Sequence, residues 1–152
     1  MEIKIVQVPQ NENEIIQIRC HKLSDDVKEI VTFIKSRQGV ISGKHGGNTR
    51  EIPVLDIFYI EAVDNRSFIY TASESFETNM KIYELEELLC KGSFIRIQKG
   101  MIVNLMKINS IKPGLSGRYV ASLKNKEEVI ISRKYVPGFK EKLKGGNNET
   151  EK

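Results

Sequence analysis

Residues 94–112, FIRIQKGMIVNLMKINSIK, hold three short β-rich runs and the break that separates the first two. In FIRIQ (94–98), Ile95 and Ile97 alternate with Arg96 and Gln98. That period of two turns one strand face to a core and the other to water. Lys99-Gly100 interrupts the pattern, MIVNL (101–105) resumes it as a nearly apolar strand, and INSIK (108–112) follows.

The same texture extends both ways. Upstream lie VISGK (40–44), TREIPV (49–54), IFYIEAV (57–63), SFIYTA (67–72) and SFETN (75–79), separated by Gly, Asp, Asn and Ser. Downstream lie RYVASL (118–123) and EVIIS (128–132), with Asn125-Lys126 expected as the hairpin turn between them despite lacking a glycine. Residues 81–89, KIYELEELL, form one amphipathic helix with Ile82, Leu85, Leu88 and Leu89 expected inward. RKYVPGFKEKL (133–143) suggests a closing turn or short helix with Val136, Phe139 and Leu143 inward and Pro137 near its first turn.

Many short strands with turn signals predict a mainly β fold, a sandwich or barrel, rather than a parallel α/β sheet. At the N-terminus IKIVQV (3–8) and IIQIRC (15–20) read as strands. Ser24 is placed to cap a helix that opens on Asp25-Asp26 and carries Val27, Ile30, Val31 and Ile34 on one face. The expected domains are therefore a β-β-α appendage (1–38) that offers a dimer or partner surface, a β-domain (39–144), and a disordered polar tail (145–152).

The chain has 152 residues, of which 39% are hydrophobic and 29% charged, so it can bury a core. No run approaches the roughly 18 apolar residues of a spanning helix, and MEIKIVQVPQNENE does not read as a secretory signal. Cys20 and Cys90 make no metal or redox spacing, so a cytoplasmic setting is expected. With only His21 and His45 beside them, they give no metal site. No glycine-rich phosphate loop and no nucleophile–base pair appears, so neither enzyme activity nor a cofactor is expected.

Charge is unevenly spread. Residues 1–80 carry 9 Lys/Arg and 12 Asp/Glu, whereas 91–144 carry 13 and 3. A basic half of this kind suits a polyanion. The basic residues also fall at strand ends: Lys99 after FIRIQ, Arg133-Lys134 after EVIIS, and Asn65-Arg66 between IFYIEAV and SFIYT. Long polar side chains held on rigid strands meet the needs of duplex readout, where Arg or Lys reads guanine, Asn reads adenine, and other donors hold phosphates. The aromatics Phe58, Tyr59, Phe68, Tyr70 and Phe94 suit core packing better than a base-stacking platform.

The ordered set IPVLDIFYIEAVDNRSFIYT, YELEELL, FIRIQKGMIVNLMKINSI, GRYVASLKN and VIISRKYV resembles the LytTR DNA-binding domain over about 40–143. The resemblance implies an elongated β-β-β sandwich of about ten short strands with one small helix. It also implies a bacterial, double-stranded-DNA-binding transcription regulator whose loops enter successive major grooves of bent DNA. By position, the base readers it implies are Arg133, Lys99 and Asn65 with Arg66. Arg96, Arg118, Lys134 and Tyr135 are the implied DNA-backbone contacts. Asn104 also matches the family, but an Asn within an apolar run is expected to be structural, satisfying backbone groups in a turn.

Gly100 departs from the serine often found in that slot. The 39 residues before Val40 are too few for a phosphoacceptor receiver, so input is expected from abundance, a regulatory protein partner or oligomerisation. Tandem half-sites in the family imply a homodimer on DNA. The alternative is a protein-interaction or dimerisation module tethered to a partner sensor without DNA binding.

Overall fold

The computed structural model describes residues 1–37 and 39–150, apart from the side chains at 32, 33, 35–37 and 145–150. In chain order the helices are α1 (Asp25–Arg37), α2 (Ile82–Leu89) and α3 (Val136–Thr150). The strands are β1 (Val40–His45), β2 (Asn48–Pro53), β3 (Tyr59–Val63), β4 (Arg66–Tyr70), β5 (Ser75–Thr78), β6 (Phe94–Gln98), β7 (Met101–Asn104), β8 (Ile108–Pro113), β9 (Tyr119–Leu123) and β10 (Glu128–Ile131). Short 3-10 turns lie at Val54–Asp56, Leu105–Lys107, Leu115–Gly117 and Arg133–Tyr135.

The strands form two antiparallel sheets, ordered β2-β1-β5-β4-β3-β7-β6 and β10-β9-β8. The β1–β2 hairpin joins the edge of the larger sheet through one register pair, Lys44 with Glu77. The result is a mainly β fold of ten short antiparallel strands, as the strand runs predict, in two sheets. The two sheets are stitched where the Ser132 N–H donates to the Ile97 carbonyl at 2.9 Å and Gln98 Nε2 donates to the Ile130 carbonyl at 2.8 Å.

Alternation explains the two cores. Ile60 faces Ile69 and Ile102 across the sheet, and Ile69 faces Phe76, so one face carries these four. They pack with Ile41, Ile52, Leu85, Leu89 and Phe94 beneath α2. The opposite face contributes Val103, Met101 and Ile97 to a second core closed by Ala121, Leu123, Val129 and Ile131 of the smaller sheet and by Val136 and Phe139 of α3. Phe58 and Phe94 are buried, and Tyr59 and Tyr70, paired across β3 and β4, stack with ring centroids 4.4 Å apart. Asn104 is wholly buried and fully engaged, as its place in an apolar run implied.

Several expectations change. Leu88 is exposed, because Ile82, Leu85 and Leu89 form the inward stripe and Leu88 falls beyond its edge. The Asn125-Lys126 turn works without glycine: Lys126 takes φ 74°, while Asn125 Oδ1 accepts the Glu127 N–H at 3.1 Å. α3 runs through Thr150 rather than giving way to a tail at 145, since each added residue of an anchored helix gains a hydrogen bond. The end of that expected tail, 151–152, lies outside the described residues.

At the other end, Ser24 does cap α1, its Oγ accepting the Val27 N–H at 3.3 Å. Residues 3–8 and 15–20, however, are not strands: neither pairs with the other or with either sheet. The appendage is therefore an open arm followed by a helix, not β-β-α. Alternation alone does not make a strand, which also needs a partner. Among the described residues, no helix is long and apolar enough to cross a membrane.

Candidate nucleic-acid interface

The first element of the site is the turn between β3 and β4. Asp64 and Asn65 both adopt left-handed φ, 51° and 65°. That pair makes a two-residue hairpin turn whose twist matches its strands, and Asp and Asn tolerate it better than other non-glycine residues. The Asn65 side chain stands in solvent, and its carbonyl accepts Lys81 Nζ at 3.3 Å. Arg66 opens β4, largely exposed, 3.8 Å from Glu77 across the strand. An exposed pair of this kind binds weakly and leaves the guanidinium available.

The turn between β6 and β7 sits beside it. The Ala62 N–H donates to the Gly100 carbonyl at 2.7 Å, continuing the β3–β7 ladder into the turn. A Cβ on Gly100 would lie 3.1 Å from the Ala62 carbonyl oxygen. A serine fits here only if the neighbouring backbone gives way, which accounts for the departure at Gly100. Lys99 is exposed at the tip.

Arg96 braces this turn from below. Its Nε donates to the Gln98 carbonyl at 3.2 Å and to the Lys99 carbonyl at 3.0 Å, Nη2 also donates to the Lys99 carbonyl, and Nη1 pairs with Glu86 at 3.1 Å. Only 17% of the Arg96 side chain is exposed, and each of its three nitrogens already has an acceptor. A phosphate would have to compete with these.

The third element is the 3-10 turn Arg133–Tyr135 after β10, fixed to β6 by the Ser132 and Gln98 bonds. Arg133 and Lys134 are exposed, whereas Tyr135 packs on the second core. Arg133 lies over the loop between β8 and β9, with its Cδ 2.9 Å from where a Cβ of Gly117 would be. In that loop Ser116 and Gly117 have φ of 57° and 78°, the Gly114 N–H donates to the Arg118 carbonyl at 2.8 Å, and Leu115 is 83% exposed at the tip. Arg118 is exposed at its exit.

Contacts thus link four loops in a chain: Asp64-Asn65 to Lys99-Gly100 through Ala62, Lys99 to Arg133 through β6 and β10, and Arg133 to Leu115–Gly117. Of the sequence candidates, Asn65, Arg66, Lys99, Arg118, Arg133 and Lys134 are exposed on or beside these loops, and Arg96 and Tyr135 lie beneath them. Sequence reading passed over Leu115 and Gly117. The signal was there: in PGLSG (113–117), an apolar residue sits between glycines, where turns are normally polar.

Behind the turns lies a cavity of about 520 Å³ lined in part by Glu86, Cys90, Arg96, Lys134, Tyr135 and Lys142. Lys142 Nζ donates to the Cys90 and Phe94 carbonyls at 2.9 and 2.6 Å, and burial holds its ammonium below the usual lysine value. Burial pushes the Cys90 thiol up, so it is held as the inert thiol. Lys140 lies 4.4 Å over the Tyr119 ring. These groups secure α3 to the sheets and keep the strand ends rigid.

A rigid antiparallel scaffold that presents Asn, Lys and Arg from neighbouring turns is the architecture of an all-β DNA-binding domain. The family model described as the LytTr DNA-binding domain matches residues 47–144, and the chain belongs to that family. A solved LytTr DNA-binding domain from Bacillus cereus superposes with a TM-score of 0.66 at 28% identity, over 69% of this chain and 96% of that one. The transcriptional regulatory protein YpdB of Escherichia coli K12 is 37% identical over 90 residues, which are 59% of this chain and 37% of YpdB. The chain thus matches little more than a third of that longer relative. A Staphylococcus aureus protein named as an HTH-type transcriptional regulator is 28% identical over 136 residues, 88% of this chain and 92% of its own length. That alignment is longer than 47–144, so it takes in sequence outside the family domain.

Proposed function

We propose that the chain is a sequence-specific double-stranded-DNA-binding transcription regulator that reads the major groove through turns and catalyses nothing. The observation that carries this reading is the contact chain that fixes Asn65, Lys99 and Arg133 on adjacent turns of one rigid scaffold. Arg133 reads a guanine edge, Lys99 and Asn65 with Arg66 read further bases, and Arg118 and Lys134 hold phosphates. Arg96, assigned to the DNA backbone by resemblance, acts here as a brace for the Lys99 turn, and Tyr135 as a packing residue beside Lys134. Readers spread over several loops reach two grooves only on bent DNA. Two copies on half-sites about one helical turn apart complete the complex.

Selection from a random duplex pool with the purified chain tests this. An enriched motif is expected, with affinity falling steeply as salt rises. Arg133→Ala is expected to cost roughly 1–3 kcal/mol and to relax preference at one position. Folded protein that enriches nothing at low salt would overturn the reading in favour of an interaction module without DNA binding.

A further inference from the structure

The N-terminal arm is the largest part of the molecule that the DNA reading does not use. More than half of the large apolar side chains exposed among the described residues fall in the first thirty positions. Ile3, Ile5 and Val6 are 89%, 88% and 77% exposed, and Ile15 and Ile16 are 65% and 67% exposed. Isolated exposed apolar residues are ordinary, but a dense group marks an interaction surface.

The arm is also shaped to receive a strand. It runs out over 3–8, turns at Pro9–Glu12, where the Glu12 N–H donates to the Pro9 carbonyl at 3.0 Å, and returns over 15–20. The two legs stand apart, with a cavity of about 1380 Å³ between them. Lys4, Val6 and Val8 line it from one leg and Ile15, Gln17 and Arg19 from the other. It exceeds the roughly 300–1,000 Å³ of small-molecule sites, and its lining mixes apolar and polar residues along both legs, as a length of extended chain would meet them.

The sequence of the arm says which chain. An antiparallel register that sets Ile3 opposite Ile18 also sets Ile5 opposite Ile16, Val6 opposite Ile15, and Glu2 opposite Arg19. Ile3, Ile5, Ile16 and Ile18 then share one face, while Val6, Ile15 and the opposite-charge pair Glu2–Arg19 lie on the other, and apolar and opposite-charge pairs are both favourable across strands. The arm is therefore complementary to itself. Since the legs are not paired within the chain, this complementarity is open to a second copy, and exchange of identical segments is a common route to dimers. Residues 1–20 alone supply the lower end of the 20–30 residues a side of a standard interface.

We infer that the N-terminal arm is the homodimer surface of this protein, the first leg of each copy pairing with the second leg of its partner. This needs no DNA and does not rest on the proposed readout. The test is sedimentation equilibrium of the full chain without DNA, with thermal melting of the β-domain as the folding control.

Wild type is expected to be a dimer of 17.4 kDa chains at micromolar concentration. Ile5→Lys and Ile16→Lys are expected to weaken it about tenfold or more, a loss typical of truncated interface anchors. The deciding readout is charge reversal. Glu2→Arg and Arg19→Glu should each weaken their own homodimer, and an equimolar mixture of the two should recover association, because each reversed charge then meets its opposite on the other chain. Pairing within one chain, or an arm folded onto its own β-domain, gives no recovery on mixing. A monomeric wild type, a dimer indifferent to the arm variants, or singles that mixing leaves unchanged would each overturn the inference. Arg133→Ala should keep the wild-type mass, so failure of DNA binding and failure of the dimer are read separately.

Discussion

The aliphatic stem of Arg133 lies across Gly117, so close that a Cβ on the glycine would fall 2.9 Å from Arg133 Cδ. The residue proposed to read a base is thereby steered by the β8–β9 loop at the same end of its own small sheet. Gly117 also has φ 78°, a conformation L residues adopt at a cost of about 1–2 kcal/mol. Gly117→Ala is expected to lower stability by about that amount and to displace Arg133. In competition binding against single-base variants of the selected site, it should relax the same position as Arg133→Ala. Full discrimination at that position by the variant would mean that Gly117 does not aim the side chain.

Arg96 separates a brace from a phosphate contact. Each lost phosphate contact should reduce the slope of log affinity against log salt by about one. Lys134→Ala is expected to do so. Arg96→Ala is expected to weaken binding and lower the melting temperature while leaving the slope unchanged, since its donors go to Glu86 and to the Gln98 and Lys99 carbonyls. A slope that falls by one in Arg96→Ala would return it to the DNA backbone.

Asn104 is a stability residue. Its Nδ2 donates to the Ile57 carbonyl at 2.9 Å, and its Oδ1 accepts Ser93 Oγ at 2.8 Å and the Met106 N–H at 3.1 Å, all around a side chain with no exposure. Each buried group left without a partner costs about 1–3 kcal/mol. Asn104→Ala is expected to lose about 3 kcal/mol or more by urea unfolding. A loss below about 1 kcal/mol would show that water replaces the side chain.

Much of this was legible in the sequence, for a physical reason. Ile95 and Ile97 could be placed on one core-facing side because alternation is a local property, and Asn104 stood out because a polar group in an apolar run needs partners. Positions that depend on contacts distant in sequence were not legible. Nothing in FIRIQKG says that Arg96 will meet Glu86 of α2 and curl under its own turn. Nothing in PGLSG says that Arg133 will lie on it. The arm shows the same limit: Ile3–Val8 has a strand's pattern, but pairing is a relation to a second segment, and among the described residues none pairs with it.

The two thiols should react very differently. Cys20 is exposed on the arm, whereas Cys90 is half-buried with its thiol pushed up by burial. The thiolate is the reactive form. With Ellman's reagent at mildly alkaline pH, one thiol is expected to react promptly and the second about tenfold or more slowly until denaturant is added. Cys20→Ser should remove the fast phase. Two fast phases would mean that the α2–β6 junction opens readily.

Tyr59 makes the fold sensitive to alkali. Burial raises its pKa above the ordinary 10.0, and the hydrogen bond its hydroxyl donates to Glu127 at 2.8 Å adds to the rise. Burial raises the stacked Tyr70 as well. A phenol with a raised folded pKa keeps its proton in the native state while the unfolded chain loses it. Above pH 10 the unfolded state therefore binds fewer protons, and stability falls as pH rises. Below the unfolded pKa this contribution is fully present, so urea midpoints should be insensitive to Tyr59 ionisation near neutrality and drop beyond pH 10. Tyr59→Phe is expected to reduce that alkaline slope, although it loses the bond to Glu127 and is less stable at neutral pH. An unchanged slope in Tyr59→Phe would place the alkaline sensitivity in other groups and leave the Tyr59–Glu127 bond as a fixture of packing alone.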